Sequence, residues 1–331
     1  MSVDPPIDDV ALVAIGRNEG DRLRRCLESS VGRVSRVVYV DSGSTDGSAE
    51  LAARMGAEIA ALGTALPFTA ARARNEGARR ALRGRSDTRY LQFVDGDCEV
   101  ASAWLGQAKS FLDAHPAVVA VCGRRRERFP DQSIYNRLCD AEWDTPVGST
   151  RTFGGDVMVR VDAFNAAGGY RDELIAGEDP ELAIRLRQAG GQLWRLDIEM
   201  TLHDAAMTRF SQWWKRSVRA GYAFALGAFI HGAPPERHWV RESRRAWLWG
   251  LLIPLMGAAG SLSGHSMLAG VVALLYLLQW SRLFLSTEGT LFVKLARSTF
   301  LVLGKFAEAV GQVKFCWHRI AGVQARLIEY R

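Results

Sequence analysis

Residues 93–100 read FVDGDCEV and place two aspartates, Asp95 and Asp97, directly after a run of apolar residues. Asp-Gly pairs are common in turns, so the motif alone is compatible with a polar turn that closes a buried strand. The alternative is a cation site, because Mg²⁺ and Mn²⁺ prefer oxygen ligands and are typically held by one or two carboxylates together with substrate phosphates. The rest of the sequence has to separate these two interpretations.

The first third of the chain alternates β-branched segments with segments of helical spacing. Such alternation predicts an α/β fold with a doubly wound, mainly parallel sheet flanked by helices. In these sheets, ligands bind beyond the carboxyl ends of the strands. Asp41 and Asp95 both stand at such ends, so we expect them to share one crevice. The predicted strands are 10–16, 34–40, 57–62 and 90–94, and the predicted helices are 21–30, a segment ending near 55, and 68–83.

Other common nucleotide-binding and metal-binding patterns are missing from the sequence. No G-x-G-x-x-G follows the first predicted strand, and no Walker A loop is present. The net charge of +6 suits phosphate-bearing ligands, nucleic acid or an anionic membrane, but no nucleic-acid-binding motif accompanies it. We therefore predict no nucleic-acid partner. The five cysteines contain no C-x-x-C pair, which indicates reduced thiols rather than a zinc or disulfide framework.

Several polar residues fit both a structural and a functional interpretation. Asp41 either caps a helix or accepts hydrogen bonds from a nucleotide base or ribose. Arg74 either faces solvent on a helix or lies near a diphosphate. Asp179 at a predicted helix start either complements the helix dipole or acts as a general base. His203 is either structural or an imidazole ligand that completes a cation site.

Taken together, the motifs resemble those of the family 2 nucleotide-sugar glycosyltransferases of GT-A fold. The resemblance covers roughly Ala11 to Gly221, and although each motif is loose, their order and spacing fit the family. The motifs, in chain order, are RNE (17–19), VDSGSTDG (40–47), ARNEG (73–77), VDGD (94–97), FGGD (153–156), GGYRDEL (168–174) and GEDPELAIRLRQAGG (177–191).

The resemblance implies a catalytic domain over residues 1–220, whose nucleotide-sugar-binding half extends to about residue 123. In this half Asp41 would hold the nucleoside, with Arg74 near the uracil or the phosphates. Asp95 would contact the ribose or the sugar, and Glu19 would belong to the nucleotide pocket. The donor implied by these roles is a nucleotide-diphosphate sugar.

The resemblance also implies the chemistry of transfer. Asp97 would ligate a Mn²⁺ or Mg²⁺ ion that bridges the two phosphates of the donor. Asp179, in an acceptor half at about 124–220, would be the base of an inverting transfer to an acceptor hydroxyl. Processive relatives carry Q-x-x-R-W, whereas the nearest stretch here is Ser211–Arg216, so a non-processive enzyme is predicted.

Two other functions remain open at this point. A nucleotidyltransferase also uses aspartates and a divalent ion, but it usually needs a basic, glycine-rich N-terminal loop, and Ile15–Gly20 is a poor one. A non-catalytic nucleotide-sugar-binding scaffold would have little use for Asp97 and Asp179 together. Release of pyrophosphate would identify a nucleotidyltransferase, and the absence of any product would identify a non-catalytic scaffold.

A long uncharged segment follows the predicted catalytic domain. Between Ala246 and Ser281 there is no Asp, Glu, Lys or Arg, and a bilayer span needs about 20 apolar residues, with roughly 17 as the lower limit. Residues 246–285 are therefore predicted to form a helical membrane hairpin of two short spans that turns near 261–266. A buried hairpin in a soluble protein and a re-entrant or interfacial hairpin are the alternatives.

Basic residues flank the uncharged segment on both sides. By the positive-inside rule, both flanks and the catalytic domain are predicted to lie in the cytoplasm at the inner membrane. The segments 221–245 and 286–331 are predicted to form a basic amphipathic connector and basic amphipathic helices. The flanking residues are Arg237, Arg241, Arg244, Arg245, Arg282, Lys294 and Arg297.

The predicted membrane location also bears on the acceptor. It favours a saccharide or lipid-linked acceptor in exopolysaccharide or cell-envelope glycan synthesis, with membrane lipid as a partner. The N-terminal stretch MSVDPPIDDV has no basic and apolar regions of the secretory type, so no signal peptide is predicted.

Overall fold

The strands expected in the first third of the chain form the parallel half of a large mixed sheet. The computed structural model describes residues 6–63 and 66–323, so the ends of the predicted domains, at 1–5 and 324–331, lie outside the described residues. Within the described residues one nine-stranded sheet is formed. Its strands are β1 (Ile7–Gly16), β2 (Val34–Asp41), β3 (Glu58–Ala61), β4 (Tyr90–Asp95), β5 (Cys98–Val100), β6 (Val118–Glu127), β7 (Gly148–Thr150), β8 (Val157–Arg160) and β9 (Gln192–His203).

The strand order is β3-β2-β1-β4-β8-β6-β9-β5, with β7 paired to β9. The strands β3, β2, β1 and β4 run parallel, β8 is antiparallel to its neighbours, and β6 and β9 are again parallel. The predicted α/β fold with a mainly parallel sheet is confirmed. The helices of this part are α1 (Asp21–Glu28), α2 (Ser48–Arg54), α3 (Ala70–Leu82), α4 (Trp104–Ala114), α5 (Ile134–Trp143), α6 (Val161–Ala166) and α7 (Glu178–Gln188).

The chain divides into two compact units, Met1–Ala206 and Met207–Arg331. The boundary expected near residue 220 falls inside the first helix of the second unit. This unit consists of helices, with a π-helical segment at Leu248–Leu252. Its α-helices are α8 (Phe210–His231), α9 (Val240–Trp247), α10 (Ile253–Leu262), α11 (Ser266–Ser286) and α12 (Leu291–Ala321).

The predicted helical hairpin is present, but its two arms differ. The chain turns between α10 and α11, close to the predicted position, and Gly257 of α10 packs against Val272 of α11. Only Ser266–Ser286 is both long and apolar enough, within the described residues, to cross a membrane. The first arm contains a ten-residue α-helix preceded by the π-helical segment. Of the two predicted spans, the second therefore has the length and composition of a membrane-crossing helix.

Helix α3 packs on the parallel half of the sheet, and Gly77 lies at the point of closest contact. Gly77 lies so close to the sheet that a Cβ on it would stand 2.2 Å from Val13 Cγ1 and 2.9 Å from Val40 Cγ2. Real Cβ atoms do not approach other atoms so closely, and protein cores are packed too densely to make room without displacement. Gly77 thus sets the distance between α3 and the two central strands.

Replacing Gly77 by alanine is expected to destabilise the first unit by about 1–3 kcal/mol, because the new methyl group overlaps two core valines. Gly106→Ala is the matched control, since Gly106 is exposed in α4 and a Cβ there meets no other atom within 4 Å. The control should stabilise by about 0.5–1 kcal/mol through helix propensity. Thermal melting of the full chain in mild detergent compares the two, and equal shifts would contradict this packing.

Candidate active site

The carboxyl edge of the parallel strands brings three predicted donor-binding residues together. In the sheet register Asp41 lies beside Gly16, and Asp95 lies beside Ile15, so the two aspartates flank the end of β1. Glu19 follows the same strand and is half-buried, with its Cγ 3.4 Å from the position of a Cβ on Gly96. The side chains that were expected to share one crevice therefore lie at the same edge of the sheet.

Asp41 also has a structural contact of its own. Its Oδ2 accepts hydrogen bonds from the backbone N–H groups of Gly43 and Ser44 at 3.0 and 2.9 Å. These bonds fix the loop after β2, which leaves Oδ1, at 3.3 Å from the Tyr39 hydroxyl, as the other oxygen of this carboxylate. Asp41 therefore does not cap a helix, since the N-cap of α2 is Gly47; its carboxylate closes the loop after β2 instead.

The turn in FVDGDCEV requires a glycine because there is little space for a side chain, not because the backbone is left-handed. The Gly96 amide donates a hydrogen bond of 2.7 Å to the Ile15 carbonyl oxygen, and a Cβ on Gly96 would lie 3.1 Å from that oxygen. The chain therefore folds back against the end of β1 between the two aspartates. Asp95 is the last residue of β4, and Asp97 lies after the turn, directly before the short strand β5.

A second cluster forms where β5 meets β9. Cys98 is paired with His203 in antiparallel register, which brings His203 Nε2 to 3.3 Å from Asp97 Oδ2. One ligand atom each from Asp97, Cys98 and His203 lies within 4.8 Å of the others, and all three residues are buried. The structure thus brings together the two residues that the sequence nominated for a cation.

The chemistry of this donor set fits a divalent cation. Burial lowers the pKa of His203, and the nearby Arg125 guanidinium adds to this effect, so the imidazole is neutral at pH 7. A neutral imidazole nitrogen and a carboxylate oxygen are donor types that Mn²⁺ and Mg²⁺ accept.

Glu127, at the end of β6, lies on the other side of the His203 ring. Its carboxylate is fully buried and accepts backbone hydrogen bonds from Phe129 and Ala205 at 3.1 Å each. Its Oε2 lies 3.6 Å from His203 Nδ1, an ion-pair distance that is too long for a hydrogen bond. A carboxylate behind a metal-binding histidine typically accepts the proton of the ring nitrogen that does not ligate the metal, and Glu127 lies on the side of the ring that suits this role.

A buried arginine joins the donor side of the site to the start of α7. Arg74 of α3 is 2% exposed. Its Nη2 donates to Asp95 Oδ1 at 2.8 Å, and its Nη1 donates to Glu178 Oε1 at 2.9 Å. The same Nη1 lies 3.3 Å from Asp179 Oδ1, which accepts no hydrogen bond within the described part of the chain. One guanidinium therefore serves three carboxylates.

The pKa values of Asp95 and Asp179 are shifted in opposite directions. Burial alone would raise the pKa of Asp95, but the guanidinium groups of Arg74 and Arg125 hold it well below its usual range. Burial raises the pKa of Asp179 to about 7; Arg74 opposes the shift and the Glu178 charge adds to it. Asp95 is therefore a permanent anion, whereas Asp179 exchanges a proton near neutral pH.

Asn75, which follows Arg74, anchors the GGY loop instead of reaching toward a ligand. Its amide Nδ2 donates to the Tyr170 carbonyl oxygen at 2.8 Å, and its Oδ1 accepts the Tyr170 N–H at 2.9 Å. A Cβ on Gly169 would lie 2.7 Å from Asn75 Oδ1, and Gly169 has a φ of +68°. This clamp explains why the ARN and GGY motifs occur together.

Sequence reasoning missed the layer beneath the aspartates. Arg125 of β6 donates to Asp95 Oδ2 at 2.8 Å and lies 3.2 Å from Asp156 Oδ2. The Asp156 carboxylate also accepts hydrogen bonds from the Asp95 N–H and the Thr201 hydroxyl. The signals in the sequence were the FGGD motif, which ends at Asp156, and three consecutive arginines, 124–126, that follow an apolar run.

Trp143, at the end of α5, covers this layer. Its ring meets that of His203 edge to face, with centroids 4.7 Å apart, and the Arg125 guanidinium lies 5.3 Å from its centroid. The indole is half-buried. No motif pointed to it, because its neighbours in the sequence carry no comparable signal.

Residues 13–172 match the family model described as glycosyl transferase family 2. Succinoglycan biosynthesis protein ExoA of Rhizobium meliloti is 31% identical over 175 residues, which are 49% of this chain and 52% of that protein. The pre-mycofactocin glycosyltransferase of Mycobacterium tuberculosis is 27% identical over 239 residues, 69% of this chain and 49% of its own length. The chain thus spans about half the length of these curated relatives.

Among solved structures, a mannosyltransferase from Pyrobaculum calidifontis, in complex with GDP-Man and Mn²⁺, has the same fold. It superposes with a TM-score of 0.63 at 18% sequence identity, and the match covers 96% of this chain and 91% of the other. This structural similarity supports the predicted GT-A fold. The predicted resemblance to the family 2 glycosyltransferases is confirmed for the part of the chain that the family model matches, residues 13–172.

Proposed function

We propose that this protein transfers a sugar from a nucleotide-diphosphate sugar to an acceptor hydroxyl, with inversion at the anomeric carbon. The observation that carries the proposal is the state of Asp179. Its Oδ1 is buried without a hydrogen-bond partner in the described part of the chain, and its pKa is raised to about 7. Buried acceptors are nearly always satisfied, so this oxygen is suited to receive a ligand's hydroxyl proton.

The donor is held at the carboxyl edge of the sheet. Asp41 and Glu19 contact the nucleoside, and Asp95 contacts the ribose or the sugar. Arg74 was expected near the uracil or the phosphates, but at 2% exposure it has little surface to offer a ligand. We assign it a positioning role: it holds Asp95 ionised and sets the distance between the donor side and Asp179.

Asp97 and His203 would hold the divalent cation, Mn²⁺ or Mg²⁺, in this proposal. When bound, such an ion stabilises the charge that develops on the leaving diphosphate. Glu127 would accept the proton of His203 Nδ1, and Asp97 would contribute a carboxylate oxygen. The solved structure with Mn²⁺ mentioned above supports a divalent metal without deciding which one this chain uses.

Asp179 accepts the proton of the acceptor hydroxyl as that oxygen forms its bond to the anomeric carbon. The bond from this carbon to the phosphate oxygen breaks at the same time, and its electron pair leaves with the nucleoside diphosphate. A single displacement of this kind inverts the configuration and requires no covalent intermediate with the chain. The low pKa of Asp95 keeps it from competing for the proton.

The acceptor is proposed to be a lipid-linked saccharide in exopolysaccharide or cell-envelope glycan synthesis. One helix, Ser266–Ser286, is apolar enough to cross a membrane, and one relative takes its name from succinoglycan biosynthesis. Basic residues on both sides of the uncharged segment favour an inner-membrane location with the catalytic unit in the cytoplasm.

Asp179→Asn is expected to lower turnover by about 10²–10⁴-fold, because the amide cannot accept the hydroxyl proton. The assay incubates the full chain in mild detergent with Mn²⁺ and a panel of nucleotide sugars, and follows nucleoside diphosphate release. Asp197→Asn, an exposed change on β9, is the control and should retain activity. Release of pyrophosphate would identify nucleotidyl transfer, and undiminished turnover in Asp179→Asn would contradict the proposed base.

The pH dependence tests the same residue independently. Only the ionised carboxylate accepts a proton, so kcat/KM should rise as the pH increases through about 7. Glu178→Gln removes a neighbouring negative charge that raises the pKa of Asp179, so the rise should move to lower pH, by about one unit. Glu76→Gln, which removes a half-buried charge on α3 that is paired with Arg79, should leave the profile unchanged. A shift of the Glu178→Gln profile to higher pH would contradict the assignment.

Metal binding can be measured without turnover, by titrating Mn²⁺ into the full chain and recording the signal of the free ion by electron paramagnetic resonance. Asp97→Asn and His203→Ala should each abolish high-affinity binding. Glu127→Gln should weaken it by about 10–100-fold, because the His203 ring loses its orienting carboxylate. Asp197→Asn should bind as the wild type does. Unchanged affinity in both Asp97→Asn and His203→Ala would place the ion elsewhere.

A further inference from the structure

A cavity in the second unit is lined mainly by arginines. Its volume is about 310 Å³. Three of the arginines lie on α9 at positions three and four residues apart, which share one face of a helix, and the fourth comes from the turn before it. The proposed transfer reaction uses none of them. The lining residues are Arg237, Val240, Arg241, Arg244, Arg245 and Leu248.

The four arginines of this cavity are exposed and carry no compensating charge. Within residues 6–63 and 66–323, no carboxylate lies within ion-pair distance of their guanidinium groups. Some other cations of the chain are paired, for example Arg185 with Glu181 at 2.6 Å and Lys305 with Glu308 at 2.6 Å. Like charges three or four residues apart on a helix repel each other. Glu242 of the same helix makes no ion pair with these arginines within the described residues, so a bound anion would relieve their mutual repulsion.

The turn that carries Arg237 is held in a conformation that is unusual for its residues. Arg237 and Trp239 have φ values of 46° and 52°, in the left-handed region that residues other than glycine seldom adopt. Trp239 is packed against α8, where a Cβ on Gly227 would lie 2.5 Å from its ring and the Phe224 ring lies at 5.2 Å. This packing maintains the strained turn and keeps Arg237 at the wall of the cavity.

We propose that this arginine cavity binds the phosphate or diphosphate group of a membrane lipid. Guanidinium groups match the geometry of phosphate oxygens and bind them in pairs of hydrogen bonds. Val240 and Leu248 add an apolar wall, and α9 leads directly into the uncharged segment that begins at Ala246. A hydrocarbon chain attached to the phosphate would find apolar surface there, which a free anion does not need.

The inference rests on the membrane attachment proposed above and is independent of sugar transfer. The test uses the full chain in mild detergent and isothermal titration calorimetry with soluble probes. Farnesyl diphosphate carries both a diphosphate and an apolar chain, farnesol carries only the chain, and inorganic pyrophosphate only the phosphates. Dihexanoyl phosphatidylglycerol represents a phospholipid headgroup. Farnesyl diphosphate or the phospholipid is expected to bind more tightly than both single-feature probes, and the tighter of the two identifies the lipid class.

Arg241→Gln combined with Arg244→Gln is expected to weaken binding of the tighter lipid probe by about 30-fold or more, because hydrogen bonds to a charged phosphate are lost. Arg83→Gln combined with Arg85→Gln is the matched control, since it removes the same charge from exposed positions of the first unit. Equal losses in both double variants would overturn the site. Equal binding of pyrophosphate, or of farnesol, would overturn the lipid phosphate as the ligand, and so would absence of binding by both lipid probes.

Nucleoside diphosphate release, measured on the same preparations, separates this inference from the proposed function. The Arg241→Gln, Arg244→Gln variant should keep the wild-type rate of donor hydrolysis, because its substitutions lie outside the catalytic unit. Lipid binding by a wild-type chain that releases no nucleoside diphosphate would support the cavity and contradict sugar transfer. Donor turnover without lipid binding would do the opposite.

Discussion

The guanidinium of Arg74 is the constraint on which the first unit's chemistry depends. A buried charge is tolerated only when it is paired and hydrogen-bonded, and Arg74 meets this condition with Asp95 and Glu178 at 2.8 and 2.9 Å. With Asp179 at 3.3 Å, one cation faces three carboxylates. Arg74 alone cannot neutralise the excess of negative charge, so the carboxylates differ in their pKa values. Asp95, which has Arg125 as a second partner, stays ionised, and Asp179 takes the raised pKa. Two carboxylates thus acquire different roles from one cation, as in other acid–base sites.

The sequence predicted those parts of the site that depend on local pattern. Strands that end in aspartates were visible in β-branched runs, and parallel pairing put Asp41 and Asp95 at one edge. His203 was named only as a candidate, because its approach to Asp97 depends on the antiparallel pairing of β5 with β9. Such a register joins segments about a hundred residues apart, and no local propensity encodes it. Arg125 was missed, and Asp156 was quoted in the FGGD motif without a role, for the same reason: their partners come from other parts of the sheet.

The uncharged segment shows a second limit of composition. The turn between α10 and α11 was predicted, but apolar composition does not tell a lipid-facing helix from one packed on protein. In the first arm a Cβ on Gly250 would lie 1.9 Å from the Lys305 carbonyl oxygen, so this arm packs against α12. Pro254 has no N–H to continue the helical hydrogen bonds, and the π-helical segment comes directly before it. Packing on α12 and the π-helical turn therefore distinguish this arm from Ser266–Ser286, although helical structure continues without a break from Val240 to Leu262.

The cost of the buried charges is itself an argument for function. Removing ionised groups from water is expensive, and a buried ion network is often no more stable than well-packed apolar residues of the same volume. Here Arg74, Asp156 and Glu178 are buried, and Arg125 is half-buried, beside Asp95 and Asp179. Even the backbone makes room for them, since a Cβ on Gly155 would lie 2.7 Å from both Arg74 Nη2 and Asp95 Oδ2. A fold that needed only stability would fill this space with apolar side chains. The arrangement is explained when the same charges fix one carboxylate as an anion and another as a base.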